Sequence, residues 1–73
     1  MADIELTVRD KVAVVTLNRP EFRNAMKLSM WQETAALFSR LGQDANVRAV
    51  ILRGAGRNFS VGADVSEFAT VRS

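Results

Sequence analysis

From position 54 to position 64 the chain reads Gly-Ala-Gly-Arg-Asn-Phe-Ser-Val-Gly-Ala-Asp, and the chemistry open to such a stretch is that of its backbone. Gly62 and Ala63 carry little side-chain bulk, so a ligand can approach the main chain closely there. An N–H exposed at Ala63 can bind a carbonyl oxygen and stabilise it as it becomes an oxyanion, a donor role worth about 3 kcal/mol in a transition state. The same small residues also suit a tight strand-to-helix turn with no ligand. Asp64 has two readings, as a general base or as the cap of a helix opening with Asp64-Val65-Ser66-Glu67. Glu67, a turn further on, faces water.

Other glycine-loop chemistries fail on particular residues. A dinucleotide fingerprint starting at Gly54 and Gly56 needs glycine at position 59, where Phe59 stands. No glycine is followed by lysine, which removes a Walker A loop. A nucleophile elbow on Ser60 finds Gly62 on one side but Asn58 on the other. The chain has no histidine to activate that hydroxyl. Ser60 is therefore a loop hydrogen-bonding residue. A second candidate is the cationic group Arg19, Arg23 and Lys27, which Pro20 and Asn24 place on an exposed loop; it is either a phosphate-steering cluster or a solvated surface.

These loops are positioned by a short series of elements. Ile4, Leu6 and Val8 alternate with polar residues, the period of a strand with one wet face. Asp10 and Lys11 make a turn, and Val12–Leu17 is a nearly continuous β-branched run suited to a strand covered on both faces. Pro20 stops it. Ser29 and Gln32 fit a capping box, so a helix is predicted over 29–42. Its buried stripe is Trp31, Thr34, Ala35, Phe38 and Leu41, with Gln32, Glu33, Ser39, Arg40 and Gln43 toward water. Residues 47–52 form a third strand.

A strand, helix, strand series in one sheet implies a parallel right-handed crossover. The fold class expected is α/β, a ββαβ unit followed by the start of a further helix. If the second and third strands are parallel neighbours, the loops over 18–27 and 54–64 both leave from carboxyl ends, the edge where open α/β sheets bind ligands. Val65, Phe68, Ala69 and Val71 would offer apolar surface that nothing later in the sequence covers.

At 73 residues the chain is one small domain or part of a larger one, and a chain of this size buries only about 60% of its unfolded surface. With neither cysteine nor histidine, disulfides, thiolate catalysis and the usual zinc sites are excluded within it. A hydrophobic fraction of 48% argues against disorder, and no apolar stretch reaches the roughly 20 residues that span a bilayer. The start of the chain lacks the pattern of a signal peptide, so a soluble, cytoplasmic protein is expected. A formal charge of +2, with acids spread along the chain, is too slight for a nucleic-acid footprint.

The segment Asn18-Arg19-Pro20-Glu21-Phe22-Arg23-Asn24-Ala25-Met26, and the run over 47–64 that ends in Phe59-Ser60-Val61-Gly62-Ala63-Asp64, resemble the crotonase superfamily of enoyl-CoA hydratases and isomerases in order and spacing. The resemblance runs through essentially the whole chain and implies the N-terminal part of the crotonase ββα-spiral fold, so that residues 1–73 read as a partial domain. It implies acyl-CoA thioester substrates, no separate cofactor and no metal, and an oxyanion held by two backbone N–H groups, the first mapping onto Ala63. Arg23, Ala25, Ser60, Gly62, Ala63, Asp64 and Val65 map onto the acyl-CoA-binding wall, Arg23 as the phosphate contact.

Two residues depart from the pattern. Val61 stands where alanine or glycine is common and Phe22 where a basic residue is common. Complete family domains are several times longer, and the second oxyanion donor and the acid/base carboxylates fall beyond the equivalent of Ser73. Homotrimers or hexamers are the family's usual assemblies. The expectation is thus a segment of an enoyl-CoA hydratase or isomerase with negligible turnover by itself; the alternative is a non-enzymatic truncated paralogue that binds CoA or pairs with a full-length subunit.

Overall fold

The computed structural model describes residues 2–64. Strand β1 (Ile4–Arg9) and strand β2 (Val12–Leu17) pair antiparallel from Ile4 against Leu17 to Arg9 against Val12. Asp10 and Lys11 close the hairpin with φ of 52° and 66°. Two positive φ values in a two-residue loop give the turn whose twist matches that of the flanking strands.

Helix α1 (Leu28–Gly42) crosses over to strand β3 (Ala49–Gly54), which lies parallel to β2 with Val12 opposite Ala49 and Leu17 opposite Gly54. The sheet order is β1-β2-β3, the ββαβ arrangement that the alternating patterns predict. The third strand sits two residues later than its apolar run suggests, because Arg53 and Gly54 continue the ladder against Thr16 and Leu17.

Alternation decides what is buried. Ala13, Val15 and Leu17 point into the core with Ile4 from β1, and α1 covers them with Met30, Leu37 and Leu41. Leu6 and Val47 pack at the margin. Val12, Val14 and Thr16, on the other face of β2, are only half-buried. The expectation of a strand covered on both faces is corrected: among the described residues one layer, α1, lies on one face of the sheet. Along β3, Val50, Ile51 and Leu52 remain 38%, 50% and 38% exposed.

Two features of the helix also differ from expectation. It begins at Leu28 with Lys27 as the capping position, so Ser29 lies inside the first turn and the Ser29–Gln32 capping box does not form. The cause is upstream: Met26 is held in a β-bridge to Ala63, and Lys27 leaves it extended (φ −75°, ψ 159°) straight into the helix. Entering there turns Met30, Thr34, Leu37 and Leu41 toward the sheet. Trp31, Ala35 and Phe38 of the predicted stripe are exposed instead. Both stripes recur at helical spacing, and the point of entry chooses between them.

Candidate functional site

The loops after β2 and β3 leave from the same edge of the sheet, as the parallel pairing requires. Residues 18–27 first form a 3-10 turn over Pro20–Phe22, followed by Arg23 and Asn24, both left-handed with φ of 53° and 56°. Asparagine tolerates that region; for arginine it is uncommon and needs outside support.

The support comes from Asn24, which is fully buried. Its Oδ1 accepts the Arg19 N–H at 2.8 Å, while its Nδ2 donates to the carbonyls of Ala55 (2.8 Å) and Asn58 (2.7 Å) on the opposite loop. Its own carbonyl accepts the Ser60 hydroxyl at 2.8 Å, and Ser60 Oγ in turn accepts the Gly62 N–H at 3.0 Å. One amide side chain thus satisfies the buried Arg19 N–H and two part-buried carbonyls, groups that are costly to leave without a partner.

Beyond Asn24 the loops pair as two short extended segments. The Met26 N–H donates to the Gly62 carbonyl at 2.8 Å, and the Asp64 N–H donates to the Met26 carbonyl at 2.9 Å. In a parallel bridge these two bonds come from the residues flanking Ala63, so the peptide groups of Ala63 itself turn to the opposite side of the segment. Ala63 is an exposed residue. Gly62, at φ of 100°, makes the approach to this geometry, a value that side chains rarely adopt.

Arg19 lies at the back of the site, 8% exposed. Its Nη1 donates to the Ala25 carbonyl at 2.7 Å and to Asp64 Oδ2 at 3.2 Å, and its guanidinium lies 4.5 Å from the centre of the Phe22 ring. Asp64 therefore meets a buried guanidinium, and neither the capping nor the general-base reading foresaw this pair. The residues it was expected to cap, together with the predicted site residue Val65 and Glu67, which was expected to face water, lie outside the described residues.

The cationic cluster is not brought together. Arg19 pairs inward with Asp64, and Lys27 Nζ reaches Asp3 Oδ2 at 2.7 Å, a hydrogen bond that holds the Asp3 carboxyl below the ordinary aspartate range against a partly opposing effect of burial. Arg23 remains exposed at the loop surface. Of the other predicted residues, Ala25 is half-buried with its carbonyl on Arg19, while Ser60 and Gly62 are half-buried and linked to each other. Sequence reasoning passed over Asn24, Arg19 and Met26 as parts of the framework. The signal for Asn24 was its residue type beside Arg23, since asparagine tolerates left-handed backbone.

Met26 also lines an apolar cleft of about 130 Å³, with Leu17, Trp31, Thr34, Leu52, Phe59 and Ser60. Among the described residues there is no cluster of acids able to hold a metal ion.

Residues 7–72 match the family described as Enoyl-CoA hydratase/isomerase. The mitochondrial Delta(3,5)-Delta(2,4)-dienoyl-CoA isomerase of Mus musculus is 41% identical over 68 residues, covering 92% of this chain and 21% of that protein. A probable enoyl-CoA hydratase of Bacillus subtilis is 38% identical over 72 residues, covering 99% of this chain and 28% of that protein. A crystal structure of an enoyl-CoA hydratase/isomerase from Marinobacter aquaeolei superposes with a TM-score of 0.91 at 41% identity, over 97% of this chain and 27% of that one. The chain spans between 21% and 28% of the length of these proteins.

Proposed function

This chain belongs to the enoyl-CoA hydratase/isomerase family, and we propose that its two converging loops form one wall of an acyl-CoA thioester site in which the Ala63 N–H donates to the thioester carbonyl oxygen. The observation that carries this reading is the Met26–Ala63 bridge. Because its two hydrogen bonds are made by Gly62 and Asp64, the Ala63 N–H is directed away from Met26 without breaking any pairing, on a residue that is exposed. A donor fixed in place before the reaction stabilises negative charge as it develops on the oxygen and costs no reorganisation at that moment.

Arg23, exposed beside this wall, is assigned to a CoA phosphate, where a guanidinium offers paired donors. Ala25, Ser60, Gly62 and Asp64 shape the wall, and Val65 completes the assignment. In a protein of the relatives' length the activity would be hydration or double-bond isomerisation of an enoyl-CoA, with protons moved by carboxylates outside these 73 residues. By itself the chain would bind a thioester with negligible turnover.

The test is the carbonyl carbon resonance of carbonyl-labelled butanoyl-CoA titrated with residues 1–73. A hydrogen bond from Ala63 moves that resonance downfield. Ala63→Pro deletes the outward N–H while keeping the Gly62 carbonyl and the Asp64 N–H that make the bridge, so the shift should vanish with the fold retained. An equal shift with wild type and Ala63→Pro, or none with wild type, overturns the reading.

A further inference from the structure

We infer that Arg19 is the positioning residue of this site, steadying the Met26–Ala63 bridge that aims the Ala63 N–H by tying Asp64, the chain neighbour of Ala63, to the Ala25 carbonyl across the two loops. The functional consequence rests on the thioester reading of Ala63; the geometry does not. One guanidinium nitrogen serves both Ala25 O (2.7 Å) and Asp64 Oδ2 (3.2 Å). The Arg19 backbone N–H is itself locked to Asn24 Oδ1 at 2.8 Å, so the side chain starts from a fixed base.

Asp64 is consequently held through both its backbone and its side chain. Its N–H is bonded to Met26 O at 2.9 Å and its carboxylate to Arg19. With the peptide N–H after Ala63 and the side chain beyond it both anchored, rotation about the backbone next to Ala63 is restricted at that end. At the other end the Gly62 carbonyl, in the same planar peptide unit as the Ala63 N–H, accepts the Met26 N–H at 2.8 Å, and the Gly62 N–H donates to Ser60 Oγ at 3.0 Å. The ion pair therefore adds, at the Asp64 end, a charged side-chain anchor to the main-chain bonds of the bridge.

Phe22 completes the device. It stands where the resemblance makes a basic residue common, and here its ring lies 4.5 Å from the Arg19 guanidinium, an attractive cation–π distance. A cation at that position would instead repel Arg19. Side-chain exposures of 10% for Arg19 and 17% for Asp64 keep water from screening the pair.

The experiment is amide relaxation of residues 1–73 in wild type, Asp64→Asn and Arg19→Met. Asp64→Asn keeps shape and an acceptor while removing the charge, so it decides the matter if Arg19→Met fails to fold. The order parameter of the Ala63 N–H is expected to fall from about 0.85 toward 0.6 in both variants, with Val14 in β2 and Ile51 in β3 unchanged, and Arg19→Lys to recover part of it. A merely structural pair would lower the melting temperature and loosen all of these amides together. Unchanged relaxation and shift at Ala63 in Asp64→Asn overturns the inference. So does a downfield shift of labelled butanoyl-CoA that persists at full size in both variants. No such shift even with wild type defeats the thioester reading and leaves Arg19 to be judged on the amide data.

Discussion

Asn24 Nδ2 donates to the carbonyl of Asn58 at 2.7 Å, a contact between residues 34 apart in the chain that ties the loop after β2 to the loop after β3. The same amide holds Ala55 and Arg19, so Asn24 is the joint around which the candidate site closes. Asn24→Ala leaves the buried Arg19 N–H without its partner, at about 1–3 kcal/mol, and removes the bonds to the part-buried carbonyls of Ala55 and Asn58, at about 0.5–1.5 kcal/mol each. A loss of about 3–5 kcal/mol is expected, comparable with much of the stability of a domain this small. Urea denaturation read by circular dichroism checks it; a loss below about 1 kcal/mol would mean that the two loops hold together without this side chain.

Gly54 and Gly62 are both required, for different physical reasons. A Cβ on Gly54 would run into the backbone carbonyls of Asn58 and Phe59, which cannot swing aside as a flexible side chain can, whereas a Cβ on Gly62 meets nothing but sits at a φ of 100°. Gly54→Ala should therefore cost about 1–3 kcal/mol or more through overpacking. Gly62→Ala should cost about 1–2 kcal/mol through backbone strain and chiefly disturb Ala63. Amide chemical shifts separate them: Gly54→Ala should move residues 55–59 and Asn24, and Gly62→Ala residues 61–64. The same set moving in both would contradict the distinction.

Hydrophobic period and turn chemistry were enough to read the hairpin, the parallel third strand and the meeting of the two loops at one sheet edge, because each depends on local pattern plus a general rule of chain crossing. The framework of the site was not legible in the same way. That Asn24 would bond Ala55 and Asn58, or that Arg19 would turn inward to Asp64 and away from Arg23 and Lys27, depends on contacts across more than thirty residues, which periodicity does not encode. The pattern of small residues identified Ala63 as a possible backbone donor, but the direction of its N–H follows only from the Met26 bridge.

Lys27 and Asp3 link the start of α1 to the beginning of the hairpin at 2.7 Å. Lys27 holds the Asp3 carboxyl below its ordinary range in the folded chain. A depressed carboxyl contributes stability above its unfolded pKa, about 3.9, and that contribution is lost as pH falls through the lower folded value. The pair is partly exposed, so its worth should stay under about 1 kcal/mol. Stability measured from pH 6 down to pH 2 should show a smaller acid-side decrease in Lys27→Met than in wild type. Parallel curves would show that the pair contributes nothing to folding.

The two apolar stripes of α1 offer a direct measurement of which face the chain buries. Met30 is 1% exposed and sits over the sheet, whereas Trp31, one residue on, is 50% exposed. Met30→Ala should cost about 2–5 kcal/mol, the range for truncating a buried methionine, and Trp31→Ala distinctly less despite removing a larger side chain. Trp31 is the sole tryptophan of the sequence, so the emission of residues 1–73 reports on it alone. It should be red-shifted and readily quenched by acrylamide. Blue-shifted, protected emission together with a larger penalty for Trp31→Ala than for Met30→Ala would mean that the helix is rotated onto the Trp31, Ala35 and Phe38 stripe. Met30 lies in the first turn of α1, just after Met26 and the extended Lys27, so such a rotation would also strain the Met26–Ala63 bridge and redirect the backbone donor at Ala63. Fluorescence of the wild-type chain is thus a first check on the geometry from which the site is built.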